Sequence, residues 1–115
     1  MTGVQTCALP IFPNVVRGCE GVVINTAGGI VGGDVADYAF DAGPLADATI
    51  TTQSAEKIYR ARSSGAADTA RIGVSLKAAS GAHLEWLPQE TILFDGTRVE
   101  RRLDVEIAEI GRAHV

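Results

Sequence analysis

Three stretches of this chain alternate apolar and polar side chains with a period of two. Tyr38, Phe40 and Ala42 alternate with Ala39 and Asp41. Ile72, Val74, Leu76 and Ala78 alternate with Gly73, Ser75 and Lys77, and Leu103, Val105 and Ile107 with Arg102, Asp104 and Glu106. Successive side chains of a strand point to opposite faces, so each run reads as a strand with one face toward a core. Residues 22–24, 48–53 and 83–87 are shorter strand candidates, rich in β-branched or apolar residues. The segments also repeat. A shift of about 36 residues lays Tyr38 on Val74, Phe40 on Leu76, Ala46 on Ala82, Ile50 on Trp86 and Gln53 on Gln89, a solenoid-like period. A further start at residues 98–107 follows after a shorter interval. Turn signals at Gly43-Pro44, Ser63-Ser64-Gly65, Ser80-Gly81 and Asp95-Gly96 separate the units. No helical pattern exceeds two turns, and residues 54–62 read as either a short helix or a strand. The expectation is an all-β, stacked-strand, β-helix or solenoid-like two-layer architecture that forms a partial domain.

The two ends read differently from the interior. Residues 110–115 (IGRAHV) can be encoded by ATCGGAAGAGCACACGTC, and the reverse complement of that segment, in a shifted frame, encodes residues 6–11 (TCALPI). Opposite strands of one DNA segment at both ends resemble a sequencing adapter, so residues 1–11 and 110–115 are set aside and residues 12–109 are read as native. This leaves one cysteine, Cys19, and one histidine, His83, in the native stretch. A single cysteine forms no internal disulfide, which fits a reducing compartment. The short apolar run at residues 7–12 lacks a basic flank, and no targeting or membrane-spanning segment is expected.

The formal net charge of −4 argues against a nucleic-acid surface, which needs clustered Lys and Arg. Arg98, Arg101 and Arg102 cluster, but acids flank them. Zn, Ni or Cu sites usually gather several His or Cys side chains, and Cys19 and His83 are far apart in sequence. No resident metal site is assigned.

Two dense stretches remain. In NTAGGIVGGD (residues 25–34) a phosphate loop would need Lys and Ser or Thr after its last glycine, whereas Asp34 and Val35 follow. The dinucleotide pattern fails as well, because the glycines come as adjacent pairs and no helix follows. Adjacent glycines suit positive-φ turns and close contact between layers, with Asp34 as a polar end. The second stretch, EWLPQETILFDG (residues 85–96), gathers Glu85, Glu90 and Asp95 around Trp86. Paired carboxylates can act as general acid and base, so a hydrolytic site is one reading and solvated edges and turn caps are the other. Trp86 reads as core. Lys57, Tyr59 and Arg60 could contact a phosphate or carboxylate, or form a solvated charged edge.

The blocks NTAGGIVGGD (25–34), TTQSAEKIYR (51–60) and LEWLPQETILFDG (84–96), in this order and spacing, closely resemble the UreD (UreH) family of urease accessory proteins. The resemblance covers most of residues 12–108, and since members are far longer it implies an N-terminal to central fragment. The family's glycine block falls on Gly28, Gly29, Gly32, Gly33 and Asp34, its second block on Gln53, Lys57, Tyr59 and Arg60, and its third on Trp86, Pro88, Gln89, Phe94 and Gly96. The resemblance implies a cytoplasmic, non-enzymatic scaffold that docks on the urease apoprotein. With UreF and the GTPase UreG, which carries the GTP, it would help deliver nickel into the urease active site. Asp34, with Glu56 nearby, would line a wet passage for Ni²⁺, since oxygen ligands suit transit better than storage. The expected nickel-path or partner-binding residues are Asp34, Glu56, Lys57, Tyr59, Arg60, Gln89, Glu90 and Asp95. A carboxylate-based hydrolase on a β-solenoid and a purely structural solenoid segment are the alternatives.

Overall fold

The computed structural model describes the backbone of residues 4–11 and all of residues 18–63 and 65–115. Residues 1–3 and 12–17, and Ser64 of the expected 63–65 turn, lie outside the described residues. The strands are β1 (Val4–Ile11), β2 (Cys19–Val23), β3 (Val35–Ala42), β4 (Asp47–Thr52), β5 (Glu56–Ile58), β6 (Ala70–Ala78), β7 (His83–Leu87), β8 (Thr91–Leu93), β9 (Val99–Ile107) and β10 (Arg112–His114). A 3-10 turn at Ala66–Asp68 is the helical element among the described residues. Where residues 54–62 allowed helix or strand, the chain forms β5.

All strand pairs are parallel. The first sheet runs in the order β1-β3-β6-β9, the second β10-β7-β4-β2, and a short third sheet pairs β5 with β8. The chain thus winds in coils, each laying a strand on the first face, then the second, then the third. The first coil reaches the third face through a single bridge, Ile30 to Ile58. The expected two layers are present, and the third face is an addition that the sequence pattern did not reveal.

The sequence period is the stacking register. Tyr38 pairs with Val74 and Phe40 with Leu76 in the first sheet, and Ile50 pairs with Trp86 in the second. After β7 the repeat loses a residue, so Glu56 faces Thr91 and Ile58 faces Leu93. The next interval is shorter still, with Ala70 beside Val99 and His83 beside Arg112.

In-register stacking puts like positions on like faces. Tyr38, Phe40, Ile72, Val74 and Leu76 of the first sheet meet Ile50, Leu84 and Trp86 of the second in one core, and every buried residue among those described is apolar. Phe40 and Trp86 bring the two sheets together, with ring centroids 5.3 Å apart. Each fully buried aliphatic side chain stabilises the fold by about 1.5–3 kcal/mol. Outside, Arg71 pairs with Glu100 and Lys77 with Glu106 on adjacent strands. Exposed pairs of this kind contribute about 0–1 kcal/mol each.

The corner between the first two faces also stacks. Leu45, Gly81 and Ile110 all take left-handed backbone, with φ of 61°, 69° and 61°. Leu45 donates its N–H to Ser80 O at 3.0 Å and Gly81 to Glu109 O at 3.3 Å, which carries the ladder around the bend. A Cβ on Gly81 would stand 2.6 Å from Leu45 Cδ2, so glycine there lets the leucine lie across the next coil.

At the far end β9 is an edge strand, and its inward residues Leu103, Val105 and Ile107 remain 42–48% exposed. Leu76→Ala, in the core, is expected to cost about 2–5 kcal/mol of unfolding free energy in urea titrations. Leu103→Ala is expected to cost less, about 1 kcal/mol by the same measurement, because only about half of that residue leaves water on folding. The unpaired backbone and apolar stripe of β9 also favour association between molecules. Sedimentation should show concentration-dependent oligomers that Val105→Lys suppresses; a monomer at all concentrations would contradict this.

Candidate functional site

The three sequence blocks are far apart in the chain, but the first and the C-terminal parts of the other two meet on the third face, one per coil. The loop between β2 and β3 supplies residues 25–34, β5 and its exit supply residues 56–60, and the segment around β8 supplies residues 88–96.

The glycine pairs divide their work. Gly28 and Gly33 hold φ of 80° and 86°, a region that side-chain-bearing residues rarely adopt. Gly29 and Gly32 provide clearance: a Cβ on Gly29 would stand 2.3 Å from the Tyr59 ring, and one on Gly32 would stand 2.6 Å from Asp68 O. Between the pairs, Ile30 is buried and joins β5, donating to Lys57 O at 2.8 Å and accepting from Tyr59 N–H at 2.8 Å. Asn25 Oδ1 accepts the Ala27 N–H at 2.9 Å to begin the loop. Asp34 closes it: Oδ2 accepts the Val31 N–H at 3.1 Å while its own N–H donates to Val31 O at 3.1 Å.

With Gly29 empty, the Tyr59 ring lies against the first coil and donates its hydroxyl to Gly28 O at 3.4 Å. Its other side stacks on Phe94 of the next coil, with centroids 5.1 Å apart and an interplanar angle of 22°. The Arg60 stem lies over Gly96, where a Cβ would come within 2.9 Å of Arg60 Cγ. Ala61 N–H donates to Gly96 O at 3.0 Å, and Thr97 Oγ1 donates to Ile58 O at 2.9 Å, which fixes the Asp95-Gly96 turn against β5.

Beside this face lies a partly exposed polar cluster. Alternation along β9 turns Arg101 inward and Arg102 outward, because Arg101 stands beside the core residue Ile72. Arg102 pairs with Asp104 at 2.8 Å, whereas Arg101 forms an ion pair with Glu56 and donates to Thr91 Oγ1 at 3.2 Å. Glu56 lies between two cavities. One, of about 270 Å³, is lined by Asn25, Gly29, Tyr38, Gln53 and Glu56 among others. The other, of about 50 Å³, is lined by Tyr38, Glu56, Trp86, Gln89, Thr91 and Arg101 among others.

Of the expected passage residues, Glu56 and Lys57 line the larger cavity and Glu56 and Gln89 the smaller, whereas Asp34 lines neither. The Asp34 carboxylate accepts the Val31 N–H of its own loop through Oδ2. Lys57, Tyr59 and Arg60 are exposed on the outer side of the third face. Glu90 is exposed, and its carbonyl accepts the Glu56 N–H at 3.0 Å; Asp95 is exposed in the turn after β8. The hydrolase trio is dispersed. Glu85 is on the outer face of β7 and accepts from Thr49 Oγ1 at 3.0 Å, Glu90 is in the following loop, and Asp95 is beyond β8. Sequence reasoning missed Arg101, although extending the β9 alternation two residues upstream from Leu103 points it inward. Among the described residues no group of three His, Cys, Asp or Glu side chains could hold a metal ion, and no helix is long and apolar enough to cross a membrane.

The family model for the UreD urease accessory protein matches residues 6–115. The urease accessory protein UreD of Rhizobium rhizogenes strain K84 is 51% identical over 90 residues, 78% of this chain and 32% of the relative. The proteins of the same name from Rhodopseudomonas palustris strain CGA009 and Bradyrhizobium diazoefficiens strain USDA 110 are 48% and 50% identical over 93 residues, 81% of this chain. The chain spans 32% of the length of each of them. No solved structure matches it.

The two clearance glycines predict different outcomes. Gly32→Ala meets backbone, which cannot swing aside, and is expected to cost about 1–3 kcal/mol in thermal or urea unfolding. Gly29→Ala meets a ring that can rotate outward. It is expected to shift the unfolding midpoint less and to abolish the near-ultraviolet dichroism of Tyr59.

Proposed function

This chain belongs to the UreD urease accessory protein family, and we propose that it is part of a non-catalytic scaffold that assists urease maturation by passing nickel toward the urease active site. The observation that carries the proposal is the family match across residues 6–115, joined to the meeting on one face of the first motif block and the C-terminal parts of the other two. In this reading the scaffold works in the cytoplasm on the urease apoprotein, with UreF and with UreG, which binds the GTP. Nickel is cargo and binds only in passing.

Chemistry favours the inner side of the third face for that traffic. The larger cavity is lined by the oxygen-bearing residues Asn25, Thr52, Gln53, Ser54 and Glu56 together with Lys57, and it holds neither imidazole nor thiolate. Oxygen donors bind Ni²⁺ more weakly than nitrogen or sulfur donors do, so an ion entering here is released readily. Arg101 beside Glu56 adds a positive charge that opposes retention of a cation. The dispersed trio of Glu85, Glu90 and Asp95 lacks the convergent geometry that acid and base catalysis needs.

The test uses the gene completed to full length, with residues 1–11 and 110–115, read as adapter-derived, replaced by the native sequence. Pull-down of urease apoprotein and UreF by the completed protein is expected; no binding by a well-folded protein overturns the reading. Glu56→Gln is expected to lower the nickel content of urease under limiting nickel by severalfold while leaving the pull-down intact. Unchanged nickel loading would remove Glu56 from the path. Asp34→Asn keeps an acceptor for the Val31 N–H and is expected to behave as wild type. Asp34→Ala loses that bond and is expected to cost about 1 kcal/mol of stability. A nickel defect in Asp34→Asn with normal stability would return Asp34 to the path.

A further inference from the structure

The outer side of the third face joins aromatic rings to cations that have no counterion. Most cations of the first sheet and its end are matched: Arg71 with Glu100, Lys77 with Glu106, Arg102 with Asp104 and Arg101 with Glu56. Lys57, Arg60 and Arg62 make no ion pair among the described residues. Arg60 and Arg62 border one pocket with Gly96 and Arg98, and Lys57 is on the adjoining β5, in a chain whose net charge is −4. Beside them Tyr59 and Phe94 stack while remaining 37% and 43% exposed, and Ile92, in register with Lys57, is 40% exposed.

These exposed groups are held in place. Gly29 gives the Tyr59 ring its seat, the hydroxyl is tied to Gly28 O, and Gly96 receives the Arg60 stem. An aromatic side chain left in water gains nothing from such fixation, whereas a fixed ring beside fixed cations lowers the ordering cost of binding a partner. Tyr, Phe and Arg are also the residues enriched where protein partners meet, and Lys and Arg select for carboxylates.

We propose that this face docks an acidic segment of a partner protein. Carboxylates of the segment pair with Lys57, Arg60 and Arg62, and an apolar side chain between them rests on the exposed surface of Tyr59 and Phe94. The inference does not depend on the urease reading.

The test titrates the protein completed to full length with a synthetic peptide in which glutamates flank a phenylalanine, and follows backbone amide resonances by NMR. Saturable shifts at residues 57–62 and 92–96 that weaken as salt is raised are expected. The doubly charge-reversed Arg60→Glu, Arg62→Glu chain should bind about tenfold more weakly or worse. The milder Arg60→Gln, Arg62→Gln chain, checked for an unchanged amide spectrum, guards against a folding defect and should also bind more weakly. Three results would overturn the proposal: equal binding of a peptide with lysines in place of the glutamates, unchanged binding by both variants, or shifts confined to other faces. So would self-association through residues 57–62, which would make a second copy the occupant.

Discussion

The parallel backbone ladder between successive coils governs everything else in this molecule. Each coil satisfies its N–H and C=O groups on the coil before and the coil after, so a residue has the same neighbour along the axis on every face. That constraint aligns Tyr38 with Val74 and Ile50 with Trp86, and it gathers the inward side chains into one apolar core. It extends to the corner, where Leu45, Gly81 and Ile110 repeat the same left-handed backbone. Two of those three are not glycine, so the ladder holds them in a conformation that costs such residues of the order of 1 kcal/mol.

The third face shows what a ladder permits when glycine replaces a side chain at chosen steps. Gly29 leaves room for a ring from the next coil and Gly96 leaves room for an arginine stem, so Tyr59, Phe94 and Arg60 form an outer relief. On the inner side the same coils place Glu56 and Thr91 beside Arg101. A short sheet thus has a charged aromatic exterior and a partly exposed polar cluster at its inner edge, while the two larger sheets enclose only apolar side chains. The chemistry of the molecule is concentrated where the sheet is shortest, because two long sheets packed face to face leave no room for unpaired polar groups.

Much of this was legible before any coordinates. Alternation at β3, β6 and β9 named the inward residues, and the repeat gave the register of β3 on β6 and of β4 on β7 to the residue. The glycine block read as a structural turn, and its pairs serve as positive-φ and clearance positions. The third face escaped because its strands are three residues long and the repeat drops a residue just before β8. Tyr59 therefore stacks on Phe94, although the longer period would place it on Asp95. The bond from the Val31 N–H to the Asp34 carboxylate was not legible either, because it depends on the loop conformation and not on residue type.

By itself the sequence determined the main strands of the two larger faces, their facing, the spacing of the two central coils and the family. Those follow from a period of two within strands and a near-constant period between them, both of which are written in residue order. Only the tertiary structure decided which distant side chains share a neighbourhood: Gly29 with Tyr59, Arg60 with Gly96, Glu56 with Arg101. Those encounters depend on how far each corner turns and how many residues it spends, and a single residue lost in one coil changes every pairing that follows.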